Sequence, residues 1–118
     1  MSGILNAFTG GSYGPPPAPH LLAWGTNAQG QLGLNNTTSY SSPMQVGTYT
    51  TWSKISCYGL NTFSIKTDGT LWAWGKNNYG QLGLGNITNY SSPKQVGSLT
   101  TWTVISCGAN SVTAIAST

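Results

Sequence analysis

Residues 71–85 read Leu-Trp-Ala-Trp-Gly-Lys-Asn-Asn-Tyr-Gly-Gln-Leu-Gly-Leu-Gly, and the stretch at 21–35 reads Leu-Leu-Ala-Trp-Gly-Thr-Asn-Ala-Gln-Gly-Gln-Leu-Gly-Leu-Asn. The match does not stop there. Sliding the chain by 50 residues lays 21–68 on 71–118 without a gap, and 26 of 48 positions are identical. Tyr-Ser-Ser-Pro recurs at 40–43 and 90–93, Thr-Thr-Trp at 50–52 and 100–102, and Ile-Ser-Cys at 55–57 and 105–107. A fixed period of this size marks a repeat architecture, in which each unit buries its apolar face against the next.

Each unit contains four strand-like runs. In the middle of the chain they are 52–57, 62–66, 70–74 and 94–96. Ile55 and Cys57 alternate with Lys54 and Ser56, and Phe63 and Ile65 with Thr62, Ser64 and Lys66. This period-two pattern belongs to strands with two distinct faces. Asp68-Gly69 between two such runs predicts a hairpin turn. No segment sustains a helical period, so the expected fold class is all-β.

The composition narrows function more than it widens it. Only 4% of the 118 residues are charged, against about 25% in an average soluble domain. Lys54, Lys66, Lys76 and Lys94 face a single acid, Asp68, for a net charge of +3, and there is no arginine. Nucleic-acid binding needs a dense basic face, so no nucleic-acid partner is expected. No run of apolar residues is long enough for a membrane-spanning helix, and residues 1–11 lack the basic start of a secretory signal. Cys57 and Cys107 hold equivalent places in neighbouring units, too far apart for a bridge; the expectation is two buried, unpaired thiols.

The run at 71–85, followed by Ser-Pro-Lys-Gln-Val at 92–96 and Val-Ile-Ser-Cys-Gly-Ala at 104–109, resembles the repeat of the regulator of chromosome condensation (RCC1) family. The resemblance covers residues 21–118. It implies four-stranded blades arranged as a β-propeller, usually seven around an axis. Two tandem repeats are expected, at 21–70 and 71–118, behind an extended Gly/Pro-rich arm at 1–20. Gly25 and Gly75 would end strands, and Pro43 and Pro93 suit an outer edge strand, where a missing N–H matters least. Two departures stand out. The family often carries a His after the innermost strand, where this chain has Asn61 and Ser111, and a chain with one acid lacks the acidic elements of the family's nucleotide-exchange member. That activity is not carried over.

Label the strands of a blade A to D from the axis outward. The chain then begins with C and D, continues with a whole blade, and finishes with A and B. The first half lacks what the last half supplies, so Leu21, Leu22, Ala23 and Trp24 are expected to pair with Val112, Thr113, Ala114 and Ile115 of another copy. Head-to-tail contacts of this kind close when the rotation divides a circle. Three chains give six blades and four give eight, both within the range of propellers; a homotrimer is the first expectation and a tetramer the second.

Catalysis needs convergent titratable groups. His20 lies in the arm and Asp68 in a turn, so no catalytic set, metal site or cofactor is expected. Tyr40, Tyr90, Asn36 and Asn86, in the long loop between strands C and D, are the candidate surface for a ligand such as a glycan or cell-surface receptor, although turn chemistry alone accounts for the Asn residues. The nearly uncharged Ser/Thr/Asn/Gly surface is similar to that of phage fibre and decoration proteins. The reading is a non-enzymatic structural or adhesive component of a phage virion, with residues 1–19 contacting other virion proteins. The alternatives are an oligomeric lectin-like or protein-binding module, or a fragment of a longer RCC1-repeat scaffold.

Overall fold

The computed structural model describes residues 19–49 and 51–118. Most of the expected arm therefore lies outside the described residues; its last two, Pro19 and His20, are exposed ahead of the first strand. The described residues form eight strands and no helix. β1 (Leu22–Gly25) and β2 (Tyr40–Gln45) make a two-stranded sheet. β3 (Trp52–Tyr58), β4 (Asn61–Lys66), β5 (Leu71–Gly75) and β6 (Tyr90–Gln95) make a four-stranded antiparallel sheet in chain order. β7 (Trp102–Cys107) and β8 (Val112–Ala116) make a second two-stranded sheet. This is the expected half, whole and half.

The turn between β4 and β5 shows how the sequence sets the register. Gly69 takes φ +83°, a left-handed conformation that other residues adopt only with strain. Its N–H donates to the Lys66 carbonyl at 2.9 Å, and the Lys66 N–H donates to the Thr70 carbonyl at 3.0 Å. Asp68 Oδ1 accepts from the Thr70 amide at 3.0 Å and its hydroxyl at 2.6 Å. These bonds hold the Asp68 carboxyl below the usual carboxylate range, the Thr70 hydroxyl contributing most.

Two expectations need correction. The outer strands begin at Tyr40 and Tyr90, earlier than the runs near 44 and 94 suggested, so both tyrosines head a strand instead of sitting in the loop. The Ser-Ser-Pro that follows is polar and reads as a turn, but an edge strand accepts it: Pro43 and Pro93 lie on β2 and β6, which among the described residues have no partner on their outer side. The cysteines are not fully buried. Cys57 is exposed and Cys107 half-buried, and both are free thiols. The difference follows from their neighbours. Cys107 and Ile105 pack against the central sheet, whereas Cys57 and Ile55 face a cleft beside the two-stranded β1–β2 sheet.

Within each repeat one buried asparagine organises the loop between the third and fourth strands. Asn77 is fully buried. Its Nδ2 donates to the Asn86 and Thr88 carbonyls at 3.1 and 2.9 Å and to Asn86 Oδ1 at 3.0 Å. Its Oδ1 accepts from the Leu82 amide at 2.9 Å. Asn27 repeats the pattern with Asn36, Thr38 and Leu32. The loop's backbone would otherwise bury unpaired polar groups.

Blades pack face to face. Phe63, Ile65, Leu71, Ala73 and Leu82 form a buried cluster against which Trp102, Ile105, Cys107 and Val112 of the next blade lie. Full burial of a side chain such as Phe63 stabilises by about 2 kcal/mol. On the other face Trp74, 1% exposed, reaches the β1–β2 sheet. Its indole N–H donates to the Gln31 carbonyl at 3.0 Å, and a Cβ added to Gly33 would lie 2.7 Å from that nitrogen. Gly33 is thus the space the indole occupies. Trp52 stacks edge-on against Trp72 and Trp74, and Lys66 Nζ sits over the Tyr49 and Trp72 rings at 3.6 and 3.8 Å.

Asn77→Ala leaves the Leu82 amide and two loop carbonyls without partners. It is expected to destabilise the fold by about 3 kcal/mol, read as a drop in the urea midpoint. Asp68 is the only acidic side chain. Its folded pKa is depressed, so the stability it contributes is present above its unfolded value and is lost as pH falls through the folded one. Urea titrations below neutrality should show a decline in wild type that Asp68→Asn flattens.

Candidate functional site

The residues expected to pair between chains lie on two unpaired strand edges. Among the described residues β1 bonds only β2 and β8 bonds only β7, each on one side. In the complete sheet the corresponding strands, β5 and β4, bond each other, with Phe63 opposite Ala73 and Ser64 opposite Trp72. Hydrogen bonds alternate along such a pair. The bonds at Lys66–Thr70 and Lys76–Leu60 assign bonded positions to Thr62–Trp74 and Ser64–Trp72. By the same alternation the N–H and C=O groups of Leu22 and Trp24 on β1, and of Val112 and Ala114 on β8, point to the open side.

Apart from Thr113, the side chains of the candidate residues on these edges are apolar. Leu22 is 49% exposed, Trp24 59% and Ile115 59%. The counterparts of Trp24 and Ile115 one repeat away are enclosed: Trp74 is 1% exposed and Ile65 3%. Val112 alone among the β8 candidates already packs on the central core. Leu21 precedes β1, and its carbonyl accepts the Val46 amide at 2.8 Å. Thr113 and Ala114 face β7 partners Ser106 and Ile105.

Two clefts border these edges. One, of about 260 Å³, is lined by Leu21, Ala23, Trp24, Leu32, Ile55 and Cys57. It occupies the place that Phe63 and Ile65 fill in the next interface. The other, of about 360 Å³, lies between the central sheet and β7–β8 and is lined by Gly80, Gln81, Leu82, Gly83, Val112 and Ala114, among others. Leu21, Ala23, Trp24, Val112 and Ala114 in these clefts are residues the sequence assigns to pairing between chains, whereas Gly80, Gln81, Leu82 and Gly83 carry no such signal taken singly. The signal was present in the repeat itself, since each has a duplicate that packs within the chain.

The candidate ligand residues form a different cluster. Asn36 Oδ1 accepts from Asn27 Nδ2 and the Thr38 amide, each at 3.1 Å, and Asn36 Nδ2 donates to the Tyr40 hydroxyl at 3.3 Å. Asn86 makes the same set with Asn77, Thr88 and Tyr90. Each pair closes its own loop, and the two sets belong to different blades. Among the described residues no three His, Cys, Asp or Glu side chains gather at a spacing that would hold a metal. The Cys107 thiol is pushed up by burial, and its Sγ lies 3.6 Å from the Ser56 carbonyl.

Comparison with known proteins agrees with this architecture. Among solved structures, human WBSCR16 superposes with a TM-score of 0.75 at 23% identity, covering 84% of this chain and 26% of its own. The chain thus spans about a quarter of that protein, and the likeness is one of fold. No curated protein sequence matches. The profile of the regulator of chromosome condensation (RCC1) repeat matches residues 20–63 and 68–115, and a second RCC1 repeat profile matches 52–81. With both repeats matched over most of its length, the chain belongs to the RCC1 repeat family.

Proposed function

We propose that this chain is a non-enzymatic structural or adhesive module whose copies complete one another's blades and close head to tail into a propeller, a homotrimer first and a tetramer second. The observation that carries it is the pair of unsatisfied edges. Among the described residues β1 and β8 present unpaired backbone groups, flanked by Leu22, Trp24 and Ile115 at about half exposure or more. Bare edges of this kind invite pairing. β8 of one copy on β1 of the next restores the order β7-β8-β1-β2, which repeats β3-β4-β5-β6.

The setting proposed for such a ring is a phage virion, as a fibre, decoration or attachment protein. The 4% charged content supports it, since a surface of Ser, Thr, Asn and Gly resists salt and remains hydrated without ion pairs. Residues 1–19 would anchor the ring to other virion proteins, and the loops at Tyr40 and Tyr90 would meet a glycan or receptor. A second reading follows from the match to human WBSCR16, of which this chain spans about a quarter. In a longer RCC1-repeat scaffold, further blades would satisfy the same edges in cis.

Native mass spectrometry separates these readings. A species at three or four times the 12.3 kDa chain mass is expected; a stable single chain would sink ring closure. Register is tested by cross-linking. With Cys57 and Cys107 replaced by Ser, the pair Ala23→Cys and Thr113→Cys falls on a close, non-bonded site equivalent to Ala73–Phe63. Oxidation should give covalent oligomers. Ala23→Cys with Ala114→Cys, on opposite faces, should not.

A further inference from the structure

We propose that the loop at 80–83 of one copy is a preformed seat for the Trp24 indole of the next copy, with the Trp24 N–H donated to the Gln81 carbonyl oxygen. This rests on the ring reading above and names the contact that fixes it.

The seat has an occupied duplicate inside the chain. Gly-Gln-Leu-Gly at 30–33 and at 80–83 is the same sequence. The backbone is also the same: Gly30 and Gly33 take φ 81° and 75°, and Gly80 and Gly83 both take 73°. In the first loop the space above Gly33 holds the Trp74 indole, whose N–H reaches the Gln31 carbonyl at 3.0 Å. The space above Gly30 holds Ser91, whose Cα would lie 2.6 Å from an added Cβ. Ser91 also accepts the Asn35 amide through its carbonyl at 2.7 Å.

The second loop has the same shape and no occupant among the described residues. A Cβ at Gly83 would find only Val96 Cγ1 at 3.4 Å, and one at Gly80 only the Asn86 carbonyl at 3.9 Å. The adjoining cleft measures about 360 Å³ and is lined by Gly80, Gln81 and Gly83. The chain also carries the missing occupants. Trp24 and Ser41 stand one repeat before Trp74 and Ser91. Trp24 is 59% exposed where Trp74 is 1%. Pairing β8 with β1 of the next copy in the register of β4 with β5 puts Leu22 and Trp24 on the face that meets this cleft. The Gly85 amide then meets the Ser41 carbonyl of that copy, as Asn35 meets Ser91.

A large indole packed on glycine and bonded to a backbone carbonyl has the character of an interface hot spot. The seat gives the glycine at 83 a reason beyond its left-handed φ of 73°, since a side chain there would take the place of the indole.

The test is sedimentation velocity over a dilution series. Four proteins are compared: wild type, Trp24→Ala, Gly83→Ala and Gly97→Ala. Gly97 has φ 64° and open space around its Cβ position, so it controls for left-handed strain without touching the seat. Trp24→Ala and Gly83→Ala should each raise the concentration at which the ring dissociates by about a hundredfold relative to Gly97→Ala. Trp24→Phe keeps the bulk but loses the N–H and should give about a tenfold rise. If wild type assembles and Gly83→Ala dissociates no more readily than Gly97→Ala, the seat is wrong and ring closure stands. A wild type that remains a single chain throughout overturns both.

Discussion

The structure depends on one contact between blades: the Trp74 indole laid on Gly33, with its N–H on the Gln31 carbonyl. A four-stranded sheet of this size buries little by itself. It becomes stable when its two faces are covered by neighbouring sheets. The central blade has both neighbours, and every described residue of β4 except Thr62 is buried. Each outer pair of strands has one neighbour, and Leu22, Trp24, Val104 and Ile115 on them remain largely in water. Burial in this chain therefore tracks position in the stack more closely than residue type.

The repeat accounts for how much was legible beforehand. A gapless period of 50 residues, the Asp68-Gly69 turn and the prolines at 43 and 93 each have a local physical meaning, and they located the blades, the hairpin and the outer strands. Their agreement is what gave the half, whole and half arrangement without coordinates. The cysteines failed for the opposite reason. Period-two alternation assigns Cys57 to an apolar face, but it carries no information on whether another sheet covers that face. Tyr40 and Tyr90 failed because Ser-Ser-Pro has turn character locally and strand character only when an inner strand pairs with it.

Other features needed three dimensions. Asn27 and Asn77 stand in the repeated pattern as ordinary polar residues, yet each supplies several hydrogen bonds that hold a buried loop. Gly83 looks like a second turn glycine. Only the occupied twin at Gly33 shows that its missing side chain leaves room for a tryptophan. A duplicated unit is informative in this way because one copy displays, packed, what the other displays open. The same comparison separates the two functional surfaces: the loop residues around Tyr40 and Tyr90 already use their polar atoms within the chain, while the strand edges do not.

The central claim is that β1 and β8 are interior strands of a blade shared by two copies. Hydrogen–deuterium exchange on the assembled protein tests it at the bonds concerned. The amides of Leu22, Trp24, Val112 and Ala114 have no partner among the described residues of one chain, whereas those of Trp72, Trp74, Thr62 and Ser64 are paired inside the central sheet. Shared blades require the first four to exchange as slowly as the second four, and to speed up on dilution below the assembly range. Fast exchange of the first four at every concentration, with the central sheet protected, would contradict the account.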